Sequence, residues 1–164
     1  MGVGKILVLI GGLLTLLSTF FLSFYNVGGG VYSSGLGFIY NISEIMANPG
    51  NYVPGETMTV YIVAIVYIVF LISGILILVG LASRVIAVIG SIIVLAMSIM
   101  ILLVLFGVLS VYAPYATLFE HTAIVPGILP LDVPLGSASL GTYTLLAGGV
   151  LGLIGGILGT KDEY

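Results

Sequence analysis

Residues 58–112 read MTVYIVAIVYIVFLISGILILVGLASRVIAVIGSIIVLAMSIMILLVLFGVLSVY, and Arg84 is their one charged residue. About 20 consecutive apolar residues cross the roughly 30 Å hydrocarbon core of a bilayer. The stretch holds two such runs, 58–82 and 85–112, separated by Ser83-Arg84 alone. A link that short predicts a tight antiparallel hairpin of two spans. At about 1.5 Å per residue the run 85–112 reaches about 42 Å, which predicts a span that tilts or projects beyond the lipid.

Outward from this hairpin, residues 6–25 and 140–160 supply two further apolar runs. Run 6–25 is longer than the about 7–15-residue core of a signal peptide and no A-x-A site follows it, so it is expected to be retained. The fold class that follows is all-α and integral to a membrane. A single domain over 1–164 forms a four-transmembrane-helix bundle, with two extracytoplasmic loops at about 26–57 and 113–139.

Composition agrees. The chain has 3 Lys+Arg and 6 Asp+Glu in 164 residues, and 5% of it is charged, against about 25% in soluble domains. Its hydrophobic share is 60% and its mean hydropathy is +1.37. Such a chain cannot cover a folded surface for water, which excludes a soluble enzyme and a disordered linker. A net charge of −3 with three cations gives no basic surface for phosphate, so no nucleic acid is expected as partner. The absence of Cys excludes disulfides, thiolate metal sites and cysteine nucleophiles.

The few charges orient the chain. Lys5 precedes the first run, Arg84 sits in the hairpin and Lys161 follows the fourth run, so an even number of crossings puts all three on one face. The positive-inside rule makes that face cytoplasmic, which places both termini inside a cell membrane. Glu44, Glu56, Glu120, Asp132 and all six prolines then fall outside. Tyr25, Tyr61, Tyr112 and Tyr143 would form an aromatic belt near the outer ends of the spans. In the first loop, residues 42–47 read as a short helix capped by Asn41 or Ser43 and stopped by Asn48-Pro49-Gly50. Asn41-Ile42-Ser43 is also an N-glycosylation sequon on that side.

No ionisable residue lies deep in a run, which argues against a proton-coupled transporter. The lone His121, next to Glu120, cannot supply two axial ligands to a haem and reads as a loop residue. No nucleophile or phosphate-loop pattern occurs. No catalytic residue, cofactor or metal is therefore expected, and the chain reads as no enzyme.

The strongest pattern concerns helix packing. Gly148, Gly152 and Gly156 recur at i+4 in the fourth run, Gly155 and Gly159 repeat the step, and Thr144 and Thr160 extend the first row. The first run carries a matching row, Gly11, Thr15, Thr19 and Ser23. Small residues at this spacing let two backbones approach in lipid, where dispersion replaces the hydrophobic drive. Close packing of runs one and four is expected, within the bundle or across a subunit boundary. In loop two, Ile124, Val125, Ile128, Leu129, Leu131, Val133 and Leu135 form an apolar stretch that Pro126, Pro130 and Pro134 keep extended or turn-like. Exposed apolar stretches of this kind mark contacts with protein or membrane.

The start GKILVLIGGLLTLLS (4–18) and the ending SLGTYTLLAGGVLGLIGGILGTKD (139–162) resemble small four-span membrane proteins known mainly from archaeal genomes. The resemblance implies the layout and brings no catalytic residue with it. The topology is also similar to claudins and tetraspanins, without the loop Trp and Cys those families carry. The expected function is a non-catalytic multi-pass membrane scaffold or assembly protein, acting through glycine-rich helix packing and outer-loop contacts. Its expected partners are membrane lipid and a homo-oligomer or larger membrane complex. The alternatives are an accessory subunit of a respiratory or other energy-converting complex, and an oligomeric channel or pore lined by Thr15, Thr19 and Ser23.

Overall fold

A computed structural model describes residues 2–159. Thr160 and Lys161 lie outside these residues. Among the described residues four helices are long and apolar enough to cross a membrane: α1 (Val3–Phe21), α3 (Thr57–Val79), α4 (Arg84–Leu105) and α6 (Leu140–Leu158). At about 1.5 Å rise their 19, 23, 22 and 19 residues reach about 28–35 Å, the thickness of a hydrocarbon core. This is the build of a multi-pass membrane protein. α1 packs on α6, α6 on α4, α4 on α3 and α3 on α1, which closes the bundle. At the α3–α4 hairpin Gly80 lies against Ala87, and a Cβ built on Gly90 would sit 3.0 Å from Ile77 N. The start of α1 and the end of α6 meet at that same end, through Gly4 and Gly159.

The other end carries a crown built from both long connections. In the first lie β1 (Tyr25–Gly28), β2 (Val31–Ser33) and α2 (Gly35–Ala47); in the second lie α5 (Ala113–Ala116), β3 (Glu120–Thr122), β4 (Pro134–Leu135) and β5 (Ala138–Ser139). β1, β2 and β3 form one antiparallel sheet in that order, with Ser33 opposite Glu120 and Tyr32 opposite His121. The Gly28-Gly29-Gly30 turn closes β1 onto β2, with φ of +96°, +62° and +81° that side-chain-bearing residues rarely adopt. Phe119 joins crown to bundle: its ring lies 4.3 Å from Tyr67, 5.4 Å from Phe38 and 5.8 Å from Phe24, centroid to centroid.

Several expectations need correction. The fold is not purely helical, because the crown adds short strands. The third span ends at Leu105, not at Tyr112. Gly107 takes φ +76°, its N–H donates to the Val104 carbonyl (3.0 Å) and the Val108 N–H to that of Leu103 (2.9 Å). This Schellman ending closes the helix and leaves about 33 Å, so no unusual tilt is required. The first span is Val3–Phe21 rather than 6–25. Tyr25 lies beyond its end and is buried in the crown, where its hydroxyl donates to Glu120 Oε1 at 2.9 Å; it cannot be part of an aromatic belt. The helix expected at 42–47 is α2, which begins at Gly35. Its cap is Ser34, whose Oγ accepts from Gly37 N at 3.0 Å. Its stop is where the Asn48-Pro49-Gly50 signal puts it.

Candidate functional site

α6 presents glycines to two neighbours at once. Toward α1, a Cβ built on Gly148 would lie 2.6 Å from Thr15 Oγ1 and 2.9 Å from the Gly11 carbonyl; one on Gly155 would meet Gly4 O and Val8 N, each at 2.7 Å. Toward α4, a Cβ on Gly156 would meet Val88 Cγ2 at 2.8 Å, one on Gly149 Leu95 Cγ at 2.9 Å, and one on Gly152 the Ser91 hydroxyl. Gly152 also receives Gly11 against its own backbone. Gly148, Gly152, Gly155 and Gly156 are thus buried inside a single chain. α6 presents other residues outward, Val150, Ile154, Ile157 and Leu158, and any contact between copies through this helix would use those.

The row expected on α1 divides. Gly11 and Thr15 face α6, whereas Thr19 lies under α2 against Gly35. Ser23 lies beyond the helix, where its hydroxyl donates to Asp132 and its carbonyl sits against Gly141. Thr15 and Thr19 are buried and each donates to the carbonyl four residues earlier, Gly11 O and Thr15 O, at 2.8 Å. Thr144 lies within 2.5 Å of Ser18 Oγ, a cross-helix bond between α6 and α1. Gly4, Gly12 and Gly149 also make close contacts. All three stand as glycines in the two end motifs, but their roles depend on which helix neighbours them.

Asp132 is the node of the crown, a role that a scattered outer acid does not announce. Its Oδ1 accepts from Ser23 Oγ and from Ser139 Oγ (2.5 Å), and its Oδ2 from Asn26 Nδ2 (2.8 Å). Partial burial pushes its pKa up, but the bonds from Ser139, Ser23 and Asn26 outweigh that and hold the carboxyl below its ordinary value of 3.8. A carboxyl with a lowered folded pKa stabilises the fold above the ordinary carboxylate range and loses that contribution as pH falls through the lowered value. Asp132→Ala should cost about 1–3 kcal/mol at pH 7, with solvent compensating part of three charge-assisted bonds. Thermal melting at neutral and acidic pH checks this: the gap between wild type and variant should close in acid. A gap that persists would assign the loss to packing.

The apolar stretch of loop two is a braced projection. Ile124 N and Val125 N donate to Leu129 O at 2.9 and 3.1 Å, and Ile128 N donates to Val125 O at 3.0 Å. Gly127 turns the chain at φ +75°. Ile128 at the tip is 67% exposed; Val125, Leu131, Val133 and Leu135 are also exposed, while Ile124 and Leu129 are half-buried. Leu131 anchors the base, exchanging backbone bonds with Phe21 O (2.8 Å) and Ser23 N (3.1 Å).

No protein-family model, curated protein or solved structure matches this chain. Its chemistry therefore rests on its own geometry. Among the described residues no three His, Asp or Glu side chains converge as metal ligands. His121 lies in β3 with its ring 5.2 Å from that of Tyr40. Asn41 is 8% exposed and its Nδ2 donates to Leu118 O (3.1 Å) and Glu120 O (2.8 Å). That nitrogen would carry a glycan, so the folded chain offers no free acceptor at the sequon.

Proposed function

We propose that this chain is a non-catalytic multi-pass membrane scaffold or assembly protein, whose working surface is the projection at 124–135. The glycine seam serves the interior of the subunit and holds the crown on a rigid base. The exposed Ile128 tip carries the reading: an apolar side chain fixed on a braced turn, rather than on a mobile loop, favours recognition of a protein surface over random exposure. Lys5 and Arg84, at the starts of α1 and α4, lie at the end away from the crown. By the positive-inside rule that end is cytoplasmic and the crown faces outward from the cell membrane, a layout similar to that of claudins. The pore reading has less support, because Thr15 and Thr19 bond within their own helix and Ser23 bonds to Asp132.

A photoreactive residue at Ile128, with Ile62 on the lipid-facing side of α3 as reference, tests this in native membranes. The expected result is a discrete protein adduct at position 128 and lipid adducts alone at 62. A second copy of this chain in the adduct would make it a homo-oligomer, and a cofactor-bearing chain would make it an accessory subunit. Lipid adducts alone at both positions would sink the reading.

A further inference from the structure

Between α3 and α4, on the crown side of their tight hairpin, lies a cavity of about 300 Å3, within the lower range of ligand pockets. Its lining is almost wholly apolar: Val66 of α3 faces Met97 and Met100 of α4, and Tyr115 and Phe119 of the second connection complete it. Val66 and Ala96, both on the lining, are also exposed on the flank of the bundle away from the α1–α6 seam. In a bilayer that flank meets acyl chains, so the cavity fills from lipid rather than from water. Methionines in the wall suit an irregular chain, because their thioethers are flexible and polarisable.

One polar group of this lining is left unmet among the described residues. Ser33 of β2 lines the cavity, is 1% exposed, and its Oγ is buried with no hydrogen-bond partner. The Tyr25 phenol lies beside it and directs its proton to Glu120 Oε1 (2.9 Å) and Ala116 O (3.2 Å); its oxygen could accept from Ser33, but the two hydroxyls are not placed in hydrogen-bond geometry. A buried hydroxyl without a partner is a standing cost, unless a ligand supplies one. Ser33 sits at crown height, where a span ends, and Met97 lies about two helical turns below the end of α4. One hydrogen-bonding group at interface height above a hydrocarbon slot is the complement of a lipid.

We propose that this cavity binds a membrane lipid, with a hydroxyl, ester or ether oxygen on Ser33 Oγ and an apolar chain running down between α3 and α4 toward Met97. The site goes beyond the contact surface at Ile128 and does not depend on it.

The full chain in phosphatidylcholine vesicles carrying a trace of a diazirine-labelled long-chain alcohol tests the proposal. After illumination, label should concentrate on the peptide bearing Met97 and Met100. Ser33→Ala should lower that label about 2–10-fold, the worth of one hydrogen bond. Ala96→Phe or Val66→Phe, each narrowing the slot from a different wall, should lower it further while melting like wild type. Label spread evenly over the outward residues of all four spans would overturn the proposal. So would labelling of Met97 and Met100 unchanged in whichever wall variant keeps the wild-type melting temperature.

Discussion

Gly11→Ala should destabilise the bundle by more than about 3 kcal/mol, above the usual range for overpacking. A Cβ at Gly11 would sit 2.5 Å from Gly152 N, 2.7 Å from Gly148 O and 2.9 Å from Gly152 Cα. Every one of these atoms is backbone, so no rotamer change relieves the overlap. α1 must retreat from α6 by about 1 Å to restore ordinary contact, and in lipid that dispersion contact is what holds two apolar helices together. Gly12 gives the contrast. Its Cβ would meet Leu78 Cδ2 at 2.5 Å and Cγ at 2.7 Å, atoms of a side chain that can turn, and backbone only at Leu78 N, 3.3 Å away, so Gly12→Ala should cost less. Gly50, with nothing within 4 Å of its Cβ position and no positive φ, serves as the neutral reference. Unfolding of the three variants in detergent should rank them Gly11, Gly12, Gly50. If Gly11→Ala melts like Gly50→Ala, α1 and α6 do not meet in this way.

The same residues show where a linear reading stops. Apolar runs located all four long helices, because the length of a span is a property of local composition. The end of α4 was hidden: Gly107 stands in an unbroken apolar run, and only its left-handed backbone turns it into a stop. The start of α2 was hidden for a different reason. Gly35 and Gly37 look like loop residues, yet both are bare because the Thr19 and Phe119 carbonyls press on them. The crown sheet has strands of three or four residues, too short for a period, and the register that sets the Ser33 backbone opposite Glu120 joins two distant connections. Spacing at i+4 likewise marked a side-chain-free face on α6. It could not say that Gly148 and Gly155 look at α1 while Gly149 and Gly156 look at α4. Ser33 gave no signal, since a serine with an unmet hydroxyl reads like any other serine.

Asn41→Ala should cost about 2–4 kcal/mol, since it removes two donors from buried carbonyls and leaves a void in their place. The loss should reach beyond α2. Asn41 ties this helix to Leu118 and Glu120, the residues on either side of Phe119, and Phe119 packs against Phe24, Phe38, Phe70 and Tyr67. Loosening it should therefore weaken both the cavity lining and the base from which Ile128 projects. Asn41→Asp separates hydrogen bonding from volume. At neutral pH its carboxylate can only accept, so it would oppose two carbonyl oxygens and should be at least as damaging as alanine. Once protonated it can donate one bond, and part of the loss should return as pH falls. Thermal melting across pH, read against wild type to remove the contribution of Asp132, distinguishes the two variants. An aspartate variant whose deficit is the same at every pH would show that Asn41 fills space rather than donates. Production in a host that glycosylates sequons gives an independent check: folded protein should carry no added mass at Asn41, because its amide nitrogen cannot hold both a glycan and the Leu118 and Glu120 carbonyls.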